Sequence, residues 1–229
     1  MFLVFIIWLV TVAFASVASA WYIRKYGLSD LAIALYVVYL TMAQILAAKI
    51  LTFNFGLFTV YAPAGVLIFP FTFQLIDIVN EAFGHRVVRR MILIAFVSQV
   101  FMVLFILMAT IATPAEFWKG HEAWLQIMTL IPRITAASWV AFLISQNIDA
   151  VLFAWLREVT QTKHLWLRNV LSDVPSLALD SFIFVFLAFW GIAPVWSLIV
   201  GQIVTKCIIG FIDAPFIYLS YAILKAKRR

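Results

Sequence analysis

Residues 89–113 read RRMILIAFVSQVFMVLFILMATIAT, and after Arg89 and Arg90 no charged side chain follows until Glu116. A run of that length and apolarity can cross a bilayer, because about 20 helical residues span the hydrocarbon core. The two arginines mark its cytoplasmic end. Working outward in both directions, six more apolar segments appear. All seven run over 2–23, 30–52, 61–83, 89–113, 133–156, 170–190 and 194–223. The expected fold is all-α, a polytopic transmembrane helical bundle of about seven spans. No linker divides it, so residues 1–229 are expected to form a single transmembrane domain.

Composition agrees. The chain is 66% hydrophobic and 11% charged. A soluble domain carries roughly 25% charged residues, and a chain of this size cannot bury the difference away from water. The lipid bilayer is therefore the first expected partner. The net charge of +6 then marks the cytoplasmic side of a membrane, and no nucleic-acid partner is expected. The single cysteine, Cys207, excludes internal disulfides and Cys-rich metal sites. His85, His121 and His164 all fall in expected loops. There is no GxSxG, no Walker loop, and no HExxH, since His121-Glu122 lacks a second histidine. No catalytic residue, cofactor or metal site is expected, and the chain does not read as an enzyme.

The loops give a direction. Arg24, Lys25, Arg86, Arg89, Arg90, Arg157, Lys163, Arg168, Lys225, Lys227, Arg228 and Arg229 all fall on one side of seven alternating spans; Lys119 and Arg133 fall on the other. The expected topology places the N-terminus outside and the C-terminus in the cytoplasm. Ala18-Ser19-Ala20 resembles a signal-peptidase site, but no basic n-region precedes it, and the first segment is expected to be a retained span. Residues 114–131 mix Phe117, Trp118 and Trp124 with Glu116, Lys119 and Glu122. This reads as an amphipathic segment in the outer interface.

Ionisable residues sit inside the spans: Asp77, Asp149, Asp180, Lys206 and Asp213. Each costs about 2.5–3.5 kcal/mol at a helix centre, so such groups face a bundle interior and need partners. Gln74, Asp77 and Glu81 lie on one helical stripe with Asn80 beside it. Asp173 and Asp180 share a face, as do Gln202, Lys206 and Asp213. Lys206 and Asp180 are both expected near mid-membrane and are candidates for a buried ion pair. Lys49 sits where it can snorkel to the outer interface. Gln44, Gln99, Gln146 and Asn147 are also inside spans, where they can bond a ligand or join helices. An amide, a carboxylate and an aromatic ring together suit a flat, polar heterocycle. Gln74-Leu75-Ile76-Asp77-Ile78-Val79 and Gln146-Asn147-Ile148-Asp149-Ala150-Val151 both read Q-x-I-D-x-V, in segments of the same direction. That is the mark of a parallel internal repeat.

At residues 69–92, FPFTFQLIDIVNEAFGHRVVRRMI, the chain resembles the queuosine-precursor transporter family, also called vitamin-uptake-transporter-like. The resemblance rests on Phe69-Pro70, Asp77, Asn80-Glu81, Phe83-Gly84 and Arg89-Arg90. It extends to Arg133-Ile134 with Ala137-Ser138, to Gln146 and Asp149, to Leu179-Asp180-Ser181, to Lys206 with Pro215 and Tyr218, and to AQILAAKI at 43–50, which contains Gln44. One departure is the added span at 2–23. The resemblance implies uptake of a deazapurine such as cyano- or aminomethyl-deazaguanine, or a queuine-type base. It implies a substrate site drawn from Gln44, Gln74, Asp77, Asn80, Glu81, Arg133, Gln146, Asp149, Asp180 and Lys206. Asp77 or Asp149 would take the N–H edge of the base, with Gln74, Gln146 and Asn80 adding hydrogen bonds. Arg133 and Lys206 would satisfy acids or ligand acceptors.

A self-sufficient secondary or facilitated carrier is the first functional reading. The alternative is a substrate-capture subunit for a vitamin or nucleobase that works with a separate ATPase module. An intramembrane enzyme and a purely structural membrane subunit are further readings. A homodimer partner is kept alongside the small heterocyclic substrate.

Overall fold

In a bilayer every backbone N–H and C=O must find a partner within the protein, and a helix satisfies nearly all of them locally. The computed structural model describes residues 2–159 and 165–225, and they are overwhelmingly helical. In chain order the elements are α1 (Phe2–Tyr26), α2 (Asp30–Ala47), β1 (Ile50–Asn54), β2 (Thr59–Pro63), a 3-10 turn (Ala64–Leu67), α3 (Phe69–Phe83), α4 (His85–Ile111), α5 (His121–Met128), α6 (Leu130–Val159), α7 (Leu165–Phe189) and α8 (Val195–Lys225). Among the described residues, six stretches are long and apolar enough to cross a membrane: Ile6–Tyr26, Asp30–Ala47, Ala64–Phe83, His85–Ile111, His121–Asp149 and Val195–Ile212. The sequence-expected span 170–190 falls on α7, whose described apolar part, Val174–Phe189, is shorter. The protein is an all-α polytopic bundle.

The spans expected at 30–52 and 61–83 need correction at their facing ends. α2 stops at Ala47, and the chain then forms an antiparallel hairpin, with Ile50 opposite Pro63 and Asn54 opposite Thr59. β-branched and aromatic residues (Ile50, Thr52, Phe53, Thr59, Val60, Tyr61) favour strand, and Asn54 Oδ1 accepts from the Gly56 N–H at 2.8 Å to close the tip. A short apolar run does not distinguish a strand from the end of a helix, so apolarity alone merged the hairpin into the spans.

The chain divides into two compact units. The first comprises Met1–Lys49, Ala64–Thr113 and Lys206–Arg229; the second comprises Ile50–Pro63 and Pro114–Thr205. In the first unit, Tyr36 and Leu40 of α2, Leu75, Ile78 and Val79 of α3, and Met91 and Ala95 of α4 form a buried core with Ile23 of α1. Their spacings of three and four place them on single helix faces. The Trp8 indole N–H donates to the Leu67 carbonyl at 2.7 Å and ties α1 to the 3-10 turn.

In the second unit, α6 and α7 pack antiparallel along most of their length. Buried Ala137, Ala141 and Ser145 recur every four residues on α6, and buried Ser176, Asp180, Phe184 and Ala188 do so on α7. Small residues let helix backbones approach closely where no water drives association. α5 has no buried residue. On α8, a Cβ at Gly201 would collide with the Tyr61 carbonyl oxygen, so β2 rests directly on a membrane-spanning helix. Non-helical backbone is tolerated at that depth only when protein covers it, and Ala62 and Pro63 are buried.

Candidate functional site

The α6–α7 pair carries a reciprocal polar ladder. Ser145 and Asp149 lie one turn apart on α6, and Ser176 and Asp180 lie one turn apart on α7. Each serine hydroxyl reaches the aspartate of the other helix: Ser176 Oγ donates to Asp149 Oδ1 at 3.3 Å, and Ser145 Oγ shares its proton between the Phe142 carbonyl at 3.3 Å and Asp180 Oδ1 at 3.5 Å. The antiparallel packing makes this crosswise match, because a step of four residues along one helix is a step of four back along the other. Asp180 is buried and Asp149 half-buried. Both bonds are long, so they hold the carboxylates loosely.

At the far end of the same pair, Arg133 donates from Nε to the Leu187 carbonyl and from a terminal guanidinium nitrogen to the Trp190 carbonyl, both at 2.8 Å. These are carbonyls that the end of a helix leaves without an intrahelical partner, and the guanidinium fork closes them. Gln146 is exposed. Exposed Asn147 turns its amide back to the Leu143 carbonyl at 2.6 Å.

In the first unit, Gln74 is fully buried and its Oε1 accepts from the Ser16 hydroxyl at 2.6 Å. The added first span therefore reaches a candidate site residue. Gln44 is buried, Asp77 is half-buried, and Asn80 is exposed. The Asn80 backbone carbonyl accepts from the Gly84 N–H at 2.8 Å, and Gly84 has φ +77°. That left-handed turn, which disfavours any residue with a Cβ, breaks α3 from α4 in the middle of the most distinctive sequence motif. Glu81 pairs with Lys225 at 3.3 Å on an open surface. A cavity of about 360 Å³ is lined by Ile23, Arg24, Gly27, Glu81, Phe83 and Lys225 among others. Lys206 is buried, with its ammonium 4.8 Å from the Phe69 ring centre, a cation–π distance.

The two Q-x-I-D-x-V copies therefore have unlike surroundings: Gln74 is sealed and bonded, whereas Gln146 is exposed. Asp180 and Lys206 belong to different units, so the pair between them stays a sequence expectation. The side chains of Arg157, Lys163, Arg168, Asp173, Asp213, Lys227, Arg228 and Arg229 lie outside the described residues. Ser16, Ser145 and Ser176 were not among the sequence candidates. The available signal was the repeated S-x-x-x-D spacing at 145–149 and 176–180.

The chain is 28% identical over 178 residues to a "Probable queuosine precursor transporter" of Bacillus subtilis, covering 76% of this chain and 77% of that one. It is 28% identical over 126 residues to the "Queuosine precursor transporter" of Escherichia coli, covering 55% of this chain and 54% of that relative. A Haemophilus influenzae relative, "Probable queuosine precursor transporter", is 29% identical over 138 residues, 58% and 54% of the two chains. The chain thus spans about half the length of the last two relatives. No solved structure matches it. Residues 63–220 match the family described as "Putative vitamin uptake transporter", and the chain belongs to that family.

Proposed function

We propose that this protein carries a 7-deazaguanine-type queuosine precursor inward across the cytoplasmic membrane, as a self-sufficient secondary or facilitated carrier. The names of its three relatives support the substrate class. The observation that carries the reading is the Asp149–Asp180 ladder: two carboxylates held between membrane helices, each within reach of a serine hydroxyl of the other helix. A guanine-like base presents adjacent N–H donors, which a carboxylate accepts. Asp77 or Asp149 is the proposed acceptor of that edge. Both are half-buried, and so are neither sealed nor fully open. Gln44, Gln74, Asn80 and Gln146 supply further hydrogen bonds. Within the second unit Asp180 steadies the ladder and Arg133 holds the end of α7; Glu81 and Lys206 are further charged candidates within the first unit.

The protein acts as one transmembrane domain in the cell membrane, with its N-terminus outside and its C-terminus cytoplasmic. The asymmetry of loop cations supports this topology, as does the cavity that gathers Arg24 and Lys225 at one end of the first unit. A homodimer is the proposed assembly, to be read from the mass of the purified protein in detergent. The site is tested by equilibrium titration of the Asp77→Ala/Asp149→Ala double variant with labelled 7-deazaguanine. Loss of binding is expected, and undiminished binding would contradict the assignment.

A further inference from the structure

The buried face of α8 within the second unit changes character along its length. Val195, Leu198 and Ile199 are aliphatic; Gly201, Gln202 and Thr205 are small or polar. Gln202 is 5% exposed and Thr205 is 1% exposed. Neither Gln202 Oε1 nor Thr205 Oγ1 has a hydrogen-bond partner among the described residues. The buried hydroxyls of Ser19, Thr135 and Ser181 are likewise without a partner among the described residues, whereas other helical hydroxyls solve the problem locally. Thr11, Ser98, Thr110 and Ser220 each donate to the carbonyl four residues back, the ordinary arrangement for a helical hydroxyl. Thr205 does not. Its hydroxyl and the Gln202 amide lie three residues apart, on one helix face. They sit roughly 10–15 Å along the axis from the start of α8, well inside the span Val195–Ile212. One residue before Gln202, the backbone of Tyr61 presses against Gly201. Two unsatisfied polar groups thus sit at membrane depth, beside a non-helical strand. Buried groups left this way call for an explanation, and in membrane carriers such irregular backbone marks substrate sites.

We propose that Gln202 and Thr205 form a specificity contact for the transported heterocycle, an inference that rests on the carrier reading above. A glutamine amide shows an acceptor oxygen and a donor NH2 side by side. That pattern pairs with a ring edge that sets a donor beside an acceptor, as the N1–H and C6 carbonyl of a 7-deazaguanine do. Gln202 reads that edge, and the Thr205 hydroxyl adds a third bond. A site built on buried polar groups rejects an analogue that cannot pair with them.

The test uses purified full-length protein in detergent, titrated with 7-deazaguanine and 7-deazaadenine, with thermal melting of the ligand-free protein alongside. Gln202→Leu removes the unsatisfied amide oxygen at similar volume, so its ligand-free melting point is expected to stay close to that of the parent. Its 7-deazaguanine affinity is expected to weaken by about tenfold or more. If the parent binds 7-deazaguanine and Gln202→Leu stays within about twofold of it, this inference is overturned and the carrier reading stands. If the parent binds neither base, the carrier reading fails and takes this inference with it. If Gln202→Leu does not fold, Thr205→Val is read by the same affinity criterion.

Discussion

Ser145 and Ser176 show how little a residue's type reveals about its role before its neighbours are known. The aspartates were legible in the sequence, because a carboxylate inside an apolar span is expensive wherever it points. The serines were not, because serine inside a span is cheap and common. The antiparallel register of α6 and α7 brings each one within reach of an aspartate of the other helix. Ser145→Ala and Ser176→Ala are each expected to destabilise the protein by about 0.5–1.5 kcal/mol, a hydrogen bond to a charged group discounted for its length and for the membrane reference state. Chemical denaturation in detergent checks this. Arg133 is the converse case. Its charge at the outer end of a span suggested ligand contact, and the structure shows it bonded to two carbonyls at the end of α7. Arg133→Lys can keep only one of those bonds at a time. It is therefore expected to lower the melting temperature while leaving substrate affinity within about twofold. An affinity loss without a stability loss would restore the ligand role.

Helices carried most of what the sequence could say, and the one element it missed is short. Each long span repeats the same apolar signal over many residues, so the signal survives local noise. The hairpin 50–63 has five residues per strand and sits between two apolar helices, where it reads as more of the same. Its seat on α8 depends on Gly201, and Gly201→Ala must displace either the β2 strand or the helix. The expected cost is about 1–3 kcal/mol, the usual range for overpacking, with a matching loss of transport. Wild-type stability in this variant would show that β2 does not rest on α8. The Glu81–Lys225 pair between the ends of α3 and α8 is open to solvent. Lys225→Gln is accordingly expected to change stability by less than about 1 kcal/mol, with the effect shrinking as salt is added.

At the scale of the whole molecule, the bilayer acts as the solvent that fixes the architecture. Aliphatic and aromatic side chains such as Phe101, Phe105 and Phe211 lie exposed along the spans, as a lipid-facing surface requires. The cations of the loops then choose a direction. With Cys207 as the single native cysteine, Cys207→Ser gives a clean background for labelling. Leu57→Cys at the exposed hairpin tip is expected to react with a membrane-impermeant thiol reagent in intact cells. Lys225→Cys is expected to react only after permeabilisation, and the reverse pattern would invert the topology. The central claim is that this chain alone moves the base. Its direct test is uptake of radiolabelled 7-deazaguanine into proteoliposomes containing only the purified protein. Saturable uptake is expected, abolished in the Asp77→Ala/Asp149→Ala variant; tight binding with no uptake until an ATPase module is added would contradict the carrier reading.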